Sequence, residues 1–375
     1  MRGKYVIAGV GHTKYGSLPG RSTHSLHAEA VRNALYDANI CKSDVDALLV
    51  KGPTSAPELL YGQRLAESLG ISPRVGGVWD QGGAANASLI GYAAMAIEHG
   101  QCEIAVVTFA DNPKTGDRSV YSRARGEGAL FGWGGVPAGY AMVARRHMSE
   151  LGTRPEHLGA VVVNSRRNAA ANSNAQLRNK PITLDEYLAR DYLVSPLRRD
   201  DCALVSDGAA SVVVMSARRA RELKVQRPVP ILGFGQGQTS LDIAQRPRLT
   251  STMASSSAAT AFAMAGLKPA DIDVAQLYDC FSIVVLMTLE DYGFCKPGQS
   301  GRFVEDGALE VGGRLPINTA GGLLAETGMP GMQLIIEGVR QMRGDAVTQV
   351  PNAKTCVISN QGGVMHTHST LILGN

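Results

Sequence analysis

The sequence predicts a mixed α/β fold made of two similar halves, on three observations. Two distant stretches repeat the order strand, loop, helix, capped turn, strand. The helices between those strands are rich in alanine. Of 375 residues, 44% are apolar and only 19% charged, enough for a substantial buried core and too apolar for a disordered chain. Forty-three glycines without a three-residue period exclude a collagen-like chain and, with only 5% aromatics, fit close-packed sheets and helices joined by many tight turns.

The elements follow in order. Tyr5-Val-Ile-Ala-Gly-Val-Gly11 reads as a buried strand ending in glycine. A polar loop and an alanine-rich helix follow, closing at a C-cap, Asn39, and a short turn bearing Asp44-x-Asp46 before the next strand. Ile90–Gly100 reads as a helix leading into the apolar strand Ile104–Phe109. Val229-Pro-Ile-Leu-Gly-Phe-Gly235 restarts the pattern, with Gly266 as the C-cap and Asp271-x-Asp273 as the turn. Gln333–Gly344 is then a helix leading to the strand Thr355–Ser359. Helices before buried strands are common in α/β proteins, so the paired Asp-x-Asp turns are what favour duplication. The halves are placed at residues 1–225 and 226–375. Residues 111–200 form a loop excursion of different texture, richer in Arg, Asn and Gly, expected to cover a ligand cleft.

Thirty-seven Lys and Arg against 33 Asp and Glu give +4, too balanced for a nucleic-acid footprint. No apolar run reaches the roughly 18 residues a spanning helix needs, and no signal segment precedes the first strand, so no membrane role and a cytoplasmic location are expected. The six cysteines are far apart, with no C-x-x-C pair, which suggests neither a disulfide framework nor a metal site.

Several ordered stretches resemble the thiolase superfamily. They include Ala144-Arg-Arg-His-Met, Ser195-Pro-Leu-Arg, Ser206-Asp-Gly-Ala-Ala, Tyr278-Asp-Cys-Phe-Ser and Leu315-Pro-Ile-Asn-Thr-Ala-Gly-Gly-Leu-Leu, and the likeness covers nearly the whole chain. The branch it is most similar to holds thiolase-like lipid-transfer proteins and steroid side-chain aldolases. The resemblance implies the thiolase fold, a duplicated five-layer αβαβα arrangement with a buried central helix pair, and a coenzyme A thioester as substrate. It also implies a homodimer, packed near Ile104–Phe109, that works with a small OB-fold zinc-ribbon protein. Zinc is then expected only in that partner, and no cofactor in this chain.

A thiolase needs a cysteine at the N-terminus of a buried helix in its first half, where the helix end lowers its pKa. Here the stretch is Asp80-Gln-Gly-Gly-Ala-Ala, which puts Gly83 or Ala84 at that position, and neither carries a nucleophile. The helix end can still bind a thioester carbonyl or enolate through N–H groups around Gly83 and Ala84, with Asn318 nearby. Tyr278 stands where most thiolases have Asn or His, and a phenol can donate to an oxyanion or accept a proton. The alternative is a tyrosine that ends a core strand with its hydroxyl bonded to the backbone. The family's Gly-His-Pro histidine falls at Gly328 or Met329, and its last catalytic cysteine falls in the loop Ser359–Gly363, which has none. His366 and His368 follow that loop, His366 the stronger candidate to line the cleft. Cys280 alternates with Tyr278 on a predicted strand and is a secondary candidate, read first as a buried small residue.

A scaffold without a covalent nucleophile suits retro-aldol cleavage of a β-hydroxyacyl-CoA of steroid or similar type, releasing propionyl-CoA or acetyl-CoA. Tyr278 is the expected base, with His366 beside it. A heteromeric thiolase acting on a β-ketoacyl-CoA is the alternative, and a non-catalytic acyl-CoA-binding subunit is a third class.

Overall fold

The computed structural model describes residues 1–117, 119, 127–329 and 331–375. The first half runs β1 (Tyr5–His12), α1 (Thr23–Ala38), β2 (Ala47–Lys51), α2 (Tyr61–Leu69), β3 (Val75–Val78), α3 (Ala85–Glu98) and β4 (Ile104–Asp111). The excursion carries α4 (Gly135–Leu151), α5 (Pro155–Ala171), α6 (Leu184–Leu188) and a short hairpin, β5 (Tyr192–Val194) and β6 (Leu197–Arg198). The chain returns through β7 (Gly208–Ser216) and α7 (Ala217–Glu222). The second half holds β8 (Val229–Gln238), α8 (Ala254–Ala265), β9 (Val274–Gln276), α9 (Ser282–Asp291), α10 (Ser300–Val304), α11 (Gly322–Ala325), α12 (Met332–Arg343), β10 (Thr355–Gly362) and β11 (Thr367–Gly374).

The local devices that suggest duplication recur in both halves. Asn39 and Gly266 cap α1 and α8 in the left-handed region, at φ 54° and 65°. Asp46 accepts from the backbone N–H groups of Glu103 and Ile104, and Asp273 does the same for Lys354 and Thr355, so each fixes the start of the next parallel strand. At Gly11 an added Cβ would run into the backbone of α1, and at Gly235 into that of α8. Each helix thus lies directly on its strand.

The strand order is β3-β2-β4-β7-β1-β8-β11-β10-β9. Within it β2-β4-β7-β1 and β9-β10-β11-β8 are copies: the first pair parallel, the next two antiparallel in each. Short antiparallel pairing, Tyr5↔Ile231 to Ile7↔Val229, joins the half-sheets into one nine-stranded sheet. Helix α3 packs on β2, β4 and β7 of one half and on β8, β10 and β11 of the other; α12 likewise touches strands of both. The sheet therefore wraps this central pair, α1 and α8 cover its outer faces, and the five layers follow. The small side chains of α3 (Ala85, Ala87, Ser88, Gly91, Ala93, Ala94) allow it to be buried on every side.

Strand β4 was expected at a subunit interface. It is instead interior, hydrogen-bonded to β2 and β7 and buried along its length. Among the described residues no helix is long and apolar enough to cross a membrane.

Candidate active site

The turn that opens α3 is bound to the second half. Thr367 Oγ1 donates to the Gln81 carbonyl at 3.0 Å, and Ser369 Oγ to that of Ala84 at 2.7 Å, both from β11. Gly82 packs against Gly362 with no room for a side chain on either. At Gly83 a Cβ would collide with the Tyr278 hydroxyl and the Gln361 carbonyl. Gly83 and Tyr278, distant in sequence, are thus brought into contact. The Ala84 N–H donates to Gln81 O (3.2 Å) and that of Ala85 to Gly82 O (3.3 Å). Ala84 is therefore spent inside the turn, and its expected role as an enolate donor is corrected.

Tyr278 is not on a strand. β9 ends at Gln276, and Leu277 to Phe281 form an irregular segment leading into α9, so the expected strand alternation of Tyr278 with Cys280 is wrong. Side chains hold this segment instead of a ladder. Asn318 accepts from the Leu277 N–H at 2.7 Å and donates to the Leu277 carbonyl at 2.9 Å. The Tyr278 N–H donates to Ser359 Oγ at 2.8 Å. Asp279 accepts from the N–H groups of Leu323 and Leu324 at the start of α11, and burial pushes its pKa up to about 6. Asn318, fully buried and occupied with Leu277, positions the tyrosine segment and is not free to serve the enolate.

Beside Tyr278 lies a polar knot that includes a residue missed in the sequence. Tyr140, on α4 of the excursion, donates to the Gly363 carbonyl and accepts from Gln361 Nε2, both at 2.6 Å. It stacks on Phe281 with ring centroids 4.1 Å apart. Gln361 Nε2 also donates to Cys280 Sγ at 2.8 Å, and Cys280 in turn to Tyr140 Oη at 3.3 Å. Burial pushes the Cys280 thiol up to about 12, so it stays protonated and is a poor nucleophile. Only the rarity of aromatics in the chain could have flagged Tyr140.

His366 sits half-buried in the turn between β10 and β11, its ring against Gly363, while His368 is buried on β11. Burial and then the Arg246 guanidinium lower both imidazoles, His368 to about 3. Met329, at one of the two positions considered for the thiolase histidine, is fully buried, and Gly328, the other, packs against the Leu204 carbonyl. Glu326, two residues earlier, accepts from Asn172 at 3.0 Å and is pushed up to about 8 by burial and by Glu337. A groove lined by Lys114, Lys180, Arg199 and residues 202–205 runs beside this centre. Its wall is tied to the site, since the Ala203 N–H donates to the Cys280 carbonyl and that of Leu204 to the Leu323 carbonyl.

The duplicated fold and the helix end buried at the junction of its halves define a thiolase scaffold, with the Tyr278 hydroxyl packed against Gly83, one of the two positions considered for the thiolase cysteine. Residues 235–375 match the family model of the thiolase C-terminal domain-like family. Over the whole of both chains the protein is 38% identical to a 17-hydroxy-3-oxo-4-pregnene-20-carboxyl-CoA lyase of Mycobacterium tuberculosis. It is 37% identical to a steroid side-chain-cleaving aldolase of Thermomonospora curvata, covering all of this chain and 98% of that one. The solved structure of the Ltp2-ChsH2(DUF35) aldolase superposes with a TM-score of 0.89 at 35% identity, covering 100% of this chain and 98% of that one. The chain belongs to the thiolase superfamily, in the branch of carbon–carbon lyases that use this scaffold as aldolases.

Proposed function

We propose that the protein cleaves a β-hydroxyacyl-CoA by retro-aldol chemistry, with Tyr278 as the group that moves the proton. The observation that carries this reading is the Tyr278 hydroxyl lying where a side chain at Gly83 would have to be. A covalent acyl-enzyme has no place to form there, whereas a proton acceptor does. Ionised Tyr278 takes the β-hydroxyl proton, the Cα–Cβ bond breaks, and its electron pair passes to the thioester as an enolate. The β-carbon leaves as a carbonyl compound. Protonation of the enolate α-carbon from the same phenol gives the shorter acyl-CoA, propionyl-CoA or acetyl-CoA, and restores the phenolate. His366, half-buried beside Gly363, is a second proton-exchanging candidate, and the Gly83 turn supplies the surface on which the thioester lies.

Lys114, Lys180 and Arg199 suit the coenzyme A phosphates, and their groove leads to the Tyr278 segment. The relatives' names support a steroid or similar side chain as the acyl group. The similar aldolase complex carries a DUF35 component in its name, which supports a DUF35 partner for this chain. That partner is taken to be an OB-fold protein whose zinc ribbon carries the metal, joined to a homodimer of this chain. The test is incubation of the purified chain, with that partner, with radiolabelled 3-hydroxyacyl-CoA. A carbonyl product and a shorter acyl-CoA are expected, with no label left on acid-quenched protein. Label retained as a protein thioester, or coenzyme A-dependent cleavage of a β-ketoacyl-CoA, would assign a thiolase instead.

A further inference from the structure

Three side chains next to the catalytic loop are unused by this mechanism or only partly used. Arg246 follows a short turn, Ile243–Gln245, after β8, and its Nε donates to the Ser240 carbonyl at 3.1 Å. Its Nη2, His366 Nδ1 and both ring nitrogens of His368 are buried without a hydrogen-bond partner among the described residues. His368 is 2% exposed. Its cross-strand partner is Gln361, the residue that binds Tyr140 and Cys280, so the group borders the reacting centre. Asp80, Tyr140 and Asp242 are the other charged or titratable groups facing it, Asp80 beside His366 and both Tyr140 and Asp242 beside Arg246.

The donor and acceptor count restricts what can fill this place. A neutral imidazole with two unpaired nitrogens offers one N–H and one lone pair, whichever tautomer it adopts. Arg246 offers a further N–H. A carboxylate accepts hydrogen bonds only and would face the imidazole lone pair. An apolar chain satisfies none of these groups, and leaving them unpaired is costly. A hydroxyl both donates and accepts.

We infer that Arg246, His366 and His368 form a subsite for a second, uncharged hydroxyl on the acyl group, close to its β-carbon. This rests on the acyl-CoA reading and extends it to substrate choice. The test is calorimetric binding of two probes, 3-hydroxybutanoyl-CoA and 3,4-dihydroxybutanoyl-CoA, to the full chain with its partner at neutral pH. The parent should bind the dihydroxy probe roughly tenfold more tightly, the effect of one hydrogen bond to a charged group, and Arg246→Met should bring the two within about twofold. Arg246 lies in a partly exposed loop, so this variant is expected to fold. Equal affinities in the parent, as when only water fills the subsite, would overturn the inference, as would a preference that survives in Arg246→Met. Turnover is not read, so a failed lyase assay leaves the result interpretable. Binding of neither probe would overturn both the subsite and the acyl-CoA reading.

Discussion

At residue 83 the missing side chain is a steric requirement of the neighbouring tyrosine. Counting back from Ile97-Glu-His-Gly100 puts Gly83 or Ala84, neither with a nucleophile, at the expected cysteine position. The contact of Tyr278 with Gly83 was not legible, because it forms only through the tertiary fold. Asn318 shows the same limit from the other side. Its residue type suits an enolate donor, but its amide is occupied with both backbone groups of Leu277. A substitution makes the steric point testable. Gly83→Cys inserts a Cβ against the Tyr278 hydroxyl and the Gln361 carbonyl. It should cost about 1–3 kcal/mol as an overpacked core does, lower the thermal midpoint and reduce turnover without yielding an acyl-thioester. Combining it with Tyr278→Ala should cost less than the sum of the two single changes, because the clash with the tyrosine is gone while that with the Gln361 carbonyl remains. A Gly83→Cys protein as stable as its parent would show that the tyrosine does not fill that space.

Among the elements, strands and caps were read well where the chemistry is local. Asn39 and Gly266 terminate helices because the left-handed region favours them, and the two Asp-x-Asp turns mark the same strand entry in each half. Sheet position was not readable, because the apolar run Ile104–Phe109 looks alike in an interior strand and in an apolar interface. The structure makes β3 the terminal strand of the first half, paired with β2 along one side only. Val78 and Trp79, at its end, are 44% and 42% exposed. An apolar edge of this kind invites strand pairing with a second chain. A homodimer across β3 is therefore expected. Light scattering at micromolar concentration should show a dimer for the parent and a monomer for Val78→Lys combined with Trp79→Lys. A double variant that stays dimeric would place the interface elsewhere.

At the scale of the whole molecule, the fold explains how Tyr278 comes to lie against Gly83. The two halves contribute different parts of the proposed site: the α3 turn comes from the first, while Tyr278, Ser359 and the β10–β11 loop come from the second. The polar knot around Tyr140 ties the excursion to them. Duplication provides the junction, and the wrapped sheet ties it together through the β11 hydroxyls on Gln81 and Ala84. The most direct test of this arrangement is single-turnover retro-aldol cleavage by Tyr278→Phe, measured beside Cys280→Ala. Phe retains the ring against Gly83 and removes the hydroxyl proposed to exchange the proton. Cleavage should fall by roughly 100- to 10,000-fold, with thioester affinity nearly unchanged and Cys280→Ala close to the parent. A Tyr278→Phe protein that keeps most of its rate, beside an inactive Cys280→Ala, would contradict the tyrosine mechanism and point to a cysteine-dependent one.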